Sequence, residues 1–321
     1  IIRSNVSSSI GRAFRFNAGY LDPDWWSARI WLGTSDNKFD INDLGFIRRN
    51  NITWGGARLA FRKQEPWGRF INNKIEFKYT QNWNRSGLIL ERQFEVEQNN
   101  LFSNYWRFGF FGNLFLPGFN DEDVFRNDNA WVYKTELWGY GGPTISTDRR
   151  KKIIIGAEFG SGYGKNRGMG YRANVWLQAK PIEQLNFEIN VMQDKSPSYM
   201  RWVDIIENVY DTARVYANST LITRDINIRL DWTFSPKLTL QCYAQPFYAD
   251  LDYKSFSRLK EPETMNLESY DYLGISGNEN PDFKVFNTVG TFVLRWEYMP
   301  GSTLYAVYNL NQRSEYSFLT K

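Results

Sequence analysis

The stretch Phe286–Gln312 reads FNTVGTFVLRWEYMPGSTLYAVYNLNQ. Before its Pro-Gly, apolar or aromatic residues occupy alternate positions: Phe286, Phe292, Leu294, Trp296 and Tyr298. Asn287, Thr291, Arg295 and Glu297 fall between them. After Met299-Pro300-Gly301-Ser302 the alternation resumes, with Leu304, Ala306, Tyr308 and Leu310 set against Thr303, Asn309 and Asn311. A period of two on either side of a Pro-Gly turn is a β-hairpin with one greasy and one polar face. Its apolar face meets either a protein core or lipid.

The same period recurs along the chain. At 222–234, Ile222, Ile226, Ile228, Leu230, Trp232 and Phe234 share one face, with Thr223, Asp225, Asn227, Arg229, Asp231 and Thr233 on the other. Segments 71–83, 171–180 and 185–191 alternate as clearly, and weaker patterns bring the expected number of strands to about fourteen. Tight turns such as 147–150, 235–237 and 299–302 alternate with mostly longer polar links, notably 35–51, 117–130, 194–213 and 254–283. Sorting of connections by length is the habit of outer-membrane barrels, with short periplasmic turns and longer extracellular loops.

Composition supports that expectation and closes other routes. Among 321 residues, 13 Trp, 19 Tyr and 24 Phe make 17% of the chain, as aromatic girdles at two membrane interfaces require. Mean hydropathy is −0.53, and no run of about 18 apolar residues offers a transmembrane helix. With no His, there is no His-containing triad, His-ligated metal or imidazole proton shuttle. The single Cys242 allows neither an internal disulfide nor a thiolate cage. The 39 basic and 35 acidic residues are interspersed, without the basic cluster that nucleic acid requires. No secretory signal opens the chain.

The expected fold is therefore an all-β, antiparallel transmembrane barrel of at least fourteen strands in the bacterial outer membrane, with lipid as its first partner. Residues 1–321 form one domain. Parity turns Arg58, Lys74, Glu76, Lys78, Glu91, Glu95, Arg107, Glu158, Arg172, Glu188, Arg229, Asp231, Arg295 and Glu297 toward the lumen. In a dry core, unpaired charges would cost several kcal/mol each. Trp54 and Trp176 fall on the same side, as candidate stacking platforms or packing for a plug. Trp83, Trp106, Trp232, Trp296 and Tyr298 are expected in the lipid-facing girdle.

Three motifs invite chemistry and are weighed down by simpler readings. Asp121, Glu122, Asp123 and Asp128 form a weak calcium candidate without EF-hand spacing, so a solvated loop is favoured and no metal is expected. Inward carboxylates such as Glu76, Glu91, Glu95 and Glu188 suit glycoside hydrolysis in type, but Lys and Arg neighbours favour ion pairing. The Gly-rich 158–172 stretch lacks the Gly-Lys-Ser/Thr of a phosphate loop. No cofactor is expected.

Three stretches carry a family resemblance: INDLGFIRRNN at 41–51, YAQPFYADLDYKSFSRL at 243–259, and NPDFKVFNTVGTFVLRWEYMPGSTLYAVYN at 280–309. Together they resemble the C-terminal region of the outer-membrane family "domain of unknown function 5916", along the whole chain. The resemblance implies a C-terminal β-barrel joined to an N-terminal domain similar to family-9 carbohydrate-binding modules, which is absent from these residues. It also leads to the expectation that barrel strands are missing at one or both ends. The functional expectation is a channel or transport-related, porin-like barrel with a charged lumen and a carbohydrate link. The alternative is an accessory barrel within a larger outer-membrane complex for secretion or nutrient uptake. A carbohydrate-active hydrolase is less favoured, and the chain is not expected to be an enzyme.

Overall fold

The computed structural model describes residues 10–22, 24–39, 49–122, 124, 131–207, 211–273 and 281–317. The elements are β1 (Ala13–Leu21), β2 (Trp26–Ser35), β3 (Ile52–Lys63), β4 (Phe70–Asn84), β5 (Ile89–Phe102), β6 (Arg107–Leu116), β7 (Phe119–Asn120), β8 (Tyr133–Lys134) and β9 (Trp138–Ser146). They continue with β10 (Ile153–Gly164), β11 (Gly168–Ile182), β12 (Leu185–Glu207), β13 (Thr212–Ser235), β14 (Leu238–Leu259), β15 (Leu267–Ser269), β16 (Phe283–Met299) and β17 (Ser302–Ser317).

Neighbours in sequence are neighbours in space. The main sheet runs β1-β2-β3-β4-β5-β6-β9-β10-β11-β12-β13-β14-β16-β17, with β15 attached to β14 and a separate β7–β8 ribbon. Every pairing is antiparallel, so the all-β, antiparallel reading of the sequence stands. The opening hairpin is β16–β17, in which Leu294 opposes Ala306 and Phe292 opposes Tyr308. Gly301 takes φ 79 in its turn, a left-handed conformation open to glycine at no steric cost.

The registers carry each face across strand after strand. One apolar row passes Ala18, Ile30, Ala57, Tyr79, Phe94, Leu114, Gly139 and Tyr163. Another passes Ile155, Leu177, Ile189, Ile228, Ala244, Gly290 and Leu310. This face is largely uncovered: Ile30 is 54% exposed, Phe94 48% and Ile155 50%.

The sheet does not close, and this overturns the barrel. Among the described residues β1 and β17 are the two ends of the strand order, each paired on one side only. Among the described residues no strand pairs with the outward side of either, an arrangement that hydrocarbon would leave without hydrogen-bond partners. The expected transmembrane barrel, its outer-membrane location and its lipid partner are corrected accordingly. Without closure there is no lumen. The porin-like channel, its carbohydrate occupant and the accessory role in an outer-membrane complex therefore lose their structural basis. Among the described residues no helix is long and apolar enough to cross a membrane, which bears on helices alone.

Strand also extends into two of the expected long links. β12 runs through 194–207 and β13 begins at Thr212, so most of the expected loop 194–213 is strand. Likewise β14 continues to Leu259, inside the expected loop 254–283. The buried core sits at this end of the sheet. Tyr133, Tyr199, Met200, Tyr216 and Leu259 form one cluster, and Ala213, Val215 and Tyr272 a second.

Candidate functional site

The residues expected in a lumen occupy one face of the open sheet, where register pairs them. Arg58 lies opposite Lys78 and Lys78 opposite Glu95. The Arg58 guanidinium donates to Glu76 at 2.5 Å, and Lys74 reaches the same carboxylate at 2.7 Å. Lys78 meets Glu95 at 2.8 Å, while Asn82 donates to Glu91 at 3.1 Å. Farther along, Arg172 pairs with Asp194 at 3.1 Å, Arg229 with Asp231 at 3.0 Å and Arg295 with Glu297 at 3.6 Å. Glu188 stands opposite Arg229 and accepts from Asn186. Glu158 shares this face, opposite Asn174, and exposed Arg107 lies opposite Ser146.

These pairs are half-exposed, so each is worth about 0–1 kcal/mol; together they hold the polar face in one arrangement. Burial raises the Glu76 carboxyl, but the Lys74 and Arg58 hydrogen bonds outweigh it and hold the group below the ordinary carboxylate range. That is the wrong direction for a general acid, which needs its proton near neutral pH. The expected acid–base candidates are thus engaged in ion pairs or amide hydrogen bonds: Glu76, Glu91, Glu95 and Glu188.

Trp54 and Trp176 lie on the polar face and have a structural task. Trp54 opposes Gly33, Trp31 opposes Gly56 and Trp176 opposes Gly156. A Cβ at any of these three glycines would collide with the facing indole. Each indole occupies the space above the bare backbone of its neighbour, covering a strand position that has no side chain of its own. Trp83, Trp232, Trp296 and Tyr298 fall on the apolar face or its margin, and exposed Trp106 lies in the β5–β6 turn. Trp232 stacks on Phe234 with ring centroids 4.3 Å apart.

Asp121 takes both terminal nitrogens of Arg49, at 2.7 and 2.6 Å, in a fork-to-fork ion pair. Asp123 and Asp128 lie outside the described residues. Among the described residues no three His, Cys, Asp or Glu side chains gather as metal ligands.

Sequence reasoning missed the aromatic core at the far ends of β12, β13 and β14. Tyr216 is fully buried, edge-on to both Tyr133 and Trp202 with centroids 5.3 Å away in each case. The Tyr199 hydroxyl accepts the Glu136 backbone N–H at 3.0 Å, and burial pushes its phenol pKa up. The buried Glu136 carboxylate in turn accepts the N–H groups of Asn166 and Arg167 at 2.8 and 3.0 Å. That contact ties the β10–β11 loop down, and the Arg167 guanidinium rests on Trp138, 4.6 Å from the ring centroid. The signal was present in the aromatic and β-branched run Tyr199–Ile206, within a segment that its polar flanks made look like loop.

Comparison with curated proteins gives no match, and comparison with solved structures gives none. A family model described as Domain of unknown function (DUF5916) matches residues 4–320, nearly the whole chain, and the chain belongs to that family.

Proposed function

We propose that this chain works by association rather than catalysis, as a β-sheet assembly module whose apolar face is covered in use by other protein. The uncovered face carries the proposal: the apolar rows described above cross the sheet from β1 to β17 without a second layer among the described residues. On its β2–β6 part, small Ala28, Ala57 and Gly112 sit among Phe77, Tyr79, Phe94 and Leu114, leaving a groove of 620 Å³ with an almost wholly apolar lining. Contiguous apolar surface on this scale marks an interaction site. The groove has the shape to take the side chains of an apolar protein segment, because large and small positions alternate along it. The ion-paired polar face supports a non-enzymatic role, since its carboxylates serve the sheet. The carbohydrate-binding-like domain that the family resemblance implies belongs to the same proposal, as cargo that the sheet would carry.

Light scattering of the purified chain, with an environment-sensitive apolar dye, tests this reading. The chain is expected to bind the dye and to associate, and Val175→Lys combined with Ile189→Lys to weaken both. A monodisperse monomer that ignores the dye would overturn it.

A further inference from the structure

A cavity opens on the polar face where two neighbouring strands lack side chains at the same level. Gly162 of β10 and Gly170 of β11 oppose each other, and Tyr140 of β9 stands opposite Gly162 on its other side. The cavity measures 260 Å³, and Trp138, Tyr140, Arg167, Arg172 and Asp194 are among its lining residues. That is just below the ~300 Å³ at which ordinary ligand pockets begin, so its occupant is compact.

The walls are set by the fold. Trp138 stacks parallel on Phe115, with 4.2 Å between ring centroids, and carries the Arg167 guanidinium over its ring. The backbone of the β10–β11 loop at Asn166 and Arg167 is held by the Glu136 carboxylate. Tyr140 and Arg172 project from adjoining strands on the polar face, which fixes their level relative to the two glycines.

The polar groups around this cavity are donors short of acceptors. Arg167 makes no ion pair among the described residues, and its Nε–H is buried without a hydrogen-bond partner. The Tyr140 hydroxyl is likewise buried and unpartnered. Arg172 spends Nε on Asp194 at 3.1 Å, and its terminal nitrogens have no hydrogen-bond partner among the described residues. Asp194 is the one acidic residue of the lining and is engaged in that pair. Glu136 is spent on backbone N–H groups, and Glu158, whose charge the Tyr140 phenol feels, lies outside the lining. Burying a donor without an acceptor is costly, and native structures seldom leave one without a role.

Such a set is completed by negative charge spread over several acceptor oxygens. Guanidinium groups match the oxygens of a carboxylate or phosphate in pairs, and a phenol adds a further donor. The geometry points to a binding site for a compact oxyanion, a carboxylate or phosphate group on a small molecule, held by Arg167, Arg172 and the Tyr140 hydroxyl. The site goes beyond the association reading and does not depend on it, since Tyr140 and Arg172 belong to the polar face and the association surface is the apolar one.

Isothermal titration calorimetry of the full chain with inorganic phosphate and, separately, with succinate tests the site and separates the two sources of the oxyanion. Saturable binding of one anion per chain is expected with at least one of them, and the one that binds names the group. Arg167→Gln is expected to weaken that binding by at least about tenfold, the worth of one charged hydrogen bond. Tyr140→Phe keeps the ring, removes only the hydroxyl and is expected to weaken binding several-fold, so the test stands even if Arg167→Gln loosens the loop. Lys237→Gln, at the exposed β13–β14 turn, is expected to leave binding unchanged. No saturable binding with either anion overturns the site. Binding that Arg167→Gln and Tyr140→Phe leave intact, or that Lys237→Gln weakens as much, overturns it too, as attraction to diffuse surface charge.

Discussion

Asp148 shows how single side chains order the short-turn end of the sheet. Its carboxylate accepts from the Arg150 side chain at 2.9 and 2.8 Å, and the Arg150 guanidinium rests on the Tyr105 ring of the neighbouring turn. The Arg150 hydrogen bonds hold the Asp148 pKa down to about 2, from an ordinary 3.8. A depressed carboxyl stabilises the fold while ionised, so its contribution is present above about pH 3.8 and is lost as pH falls toward about 2. Asp148→Asn is therefore expected to flatten the acid limb of thermal stability in that window, measured as Tm against pH. An unchanged limb would show that the turn clamp is irrelevant to stability. The sequence displayed Asp148-Arg149-Arg150 as a turn, but the partner Tyr105 lies 45 residues from Arg150 and only the register of β6 on β9 brings them together. Trp54 and Trp176 teach the same lesson. Their side of the sheet was legible from parity, whereas their task depends on which glycine the neighbouring strand sets opposite.

At the scale of elements, period-2 alternation marked the strands wherever one face is apolar and the other polar, as in β16 and the Ile222–Phe234 part of β13. It failed where both faces are covered. At Tyr199–Ile206 and Ala213–Tyr216 the strands enter the aromatic core, apolar residues occupy consecutive positions, and β12 carries bulges that shift its register on β13. A bulge changes parity, so alternation cannot be followed through it. The same core shows how the loop end is fastened, with Glu136 as the link between the β8–β9 segment and the β10–β11 loop. Glu136→Ala leaves two backbone N–H groups without their acceptor and is expected to cost about 1–3 kcal/mol. Denaturant titration gives the loss, and amide exchange at Asn166 and Arg167 should accelerate; protection as in the parent would contradict the assigned role.

For the whole molecule, alternation and turn lengths specify a long antiparallel meander and say nothing about how it ends. A closed barrel and an open sheet present the same strand periodicity, the same sorting of loops and the same two-faced sequence. Closure depends on whether β1 meets β17, a contact between the two most distant strands that no local pattern encodes. The open order of strands turns the expected lumen into an accessible polar face, and leaves the apolar face as the surface that the proposed association would cover. Nitroxide labels at Ala18→Cys and Ala306→Cys in one Cys242→Ser chain, diluted into unlabelled protein, measure the separation of the edges within a single copy. The open sheet predicts distances well beyond the ~5 Å spacing of paired strands. A single short distance, at the spacing of neighbouring strands, would contradict it.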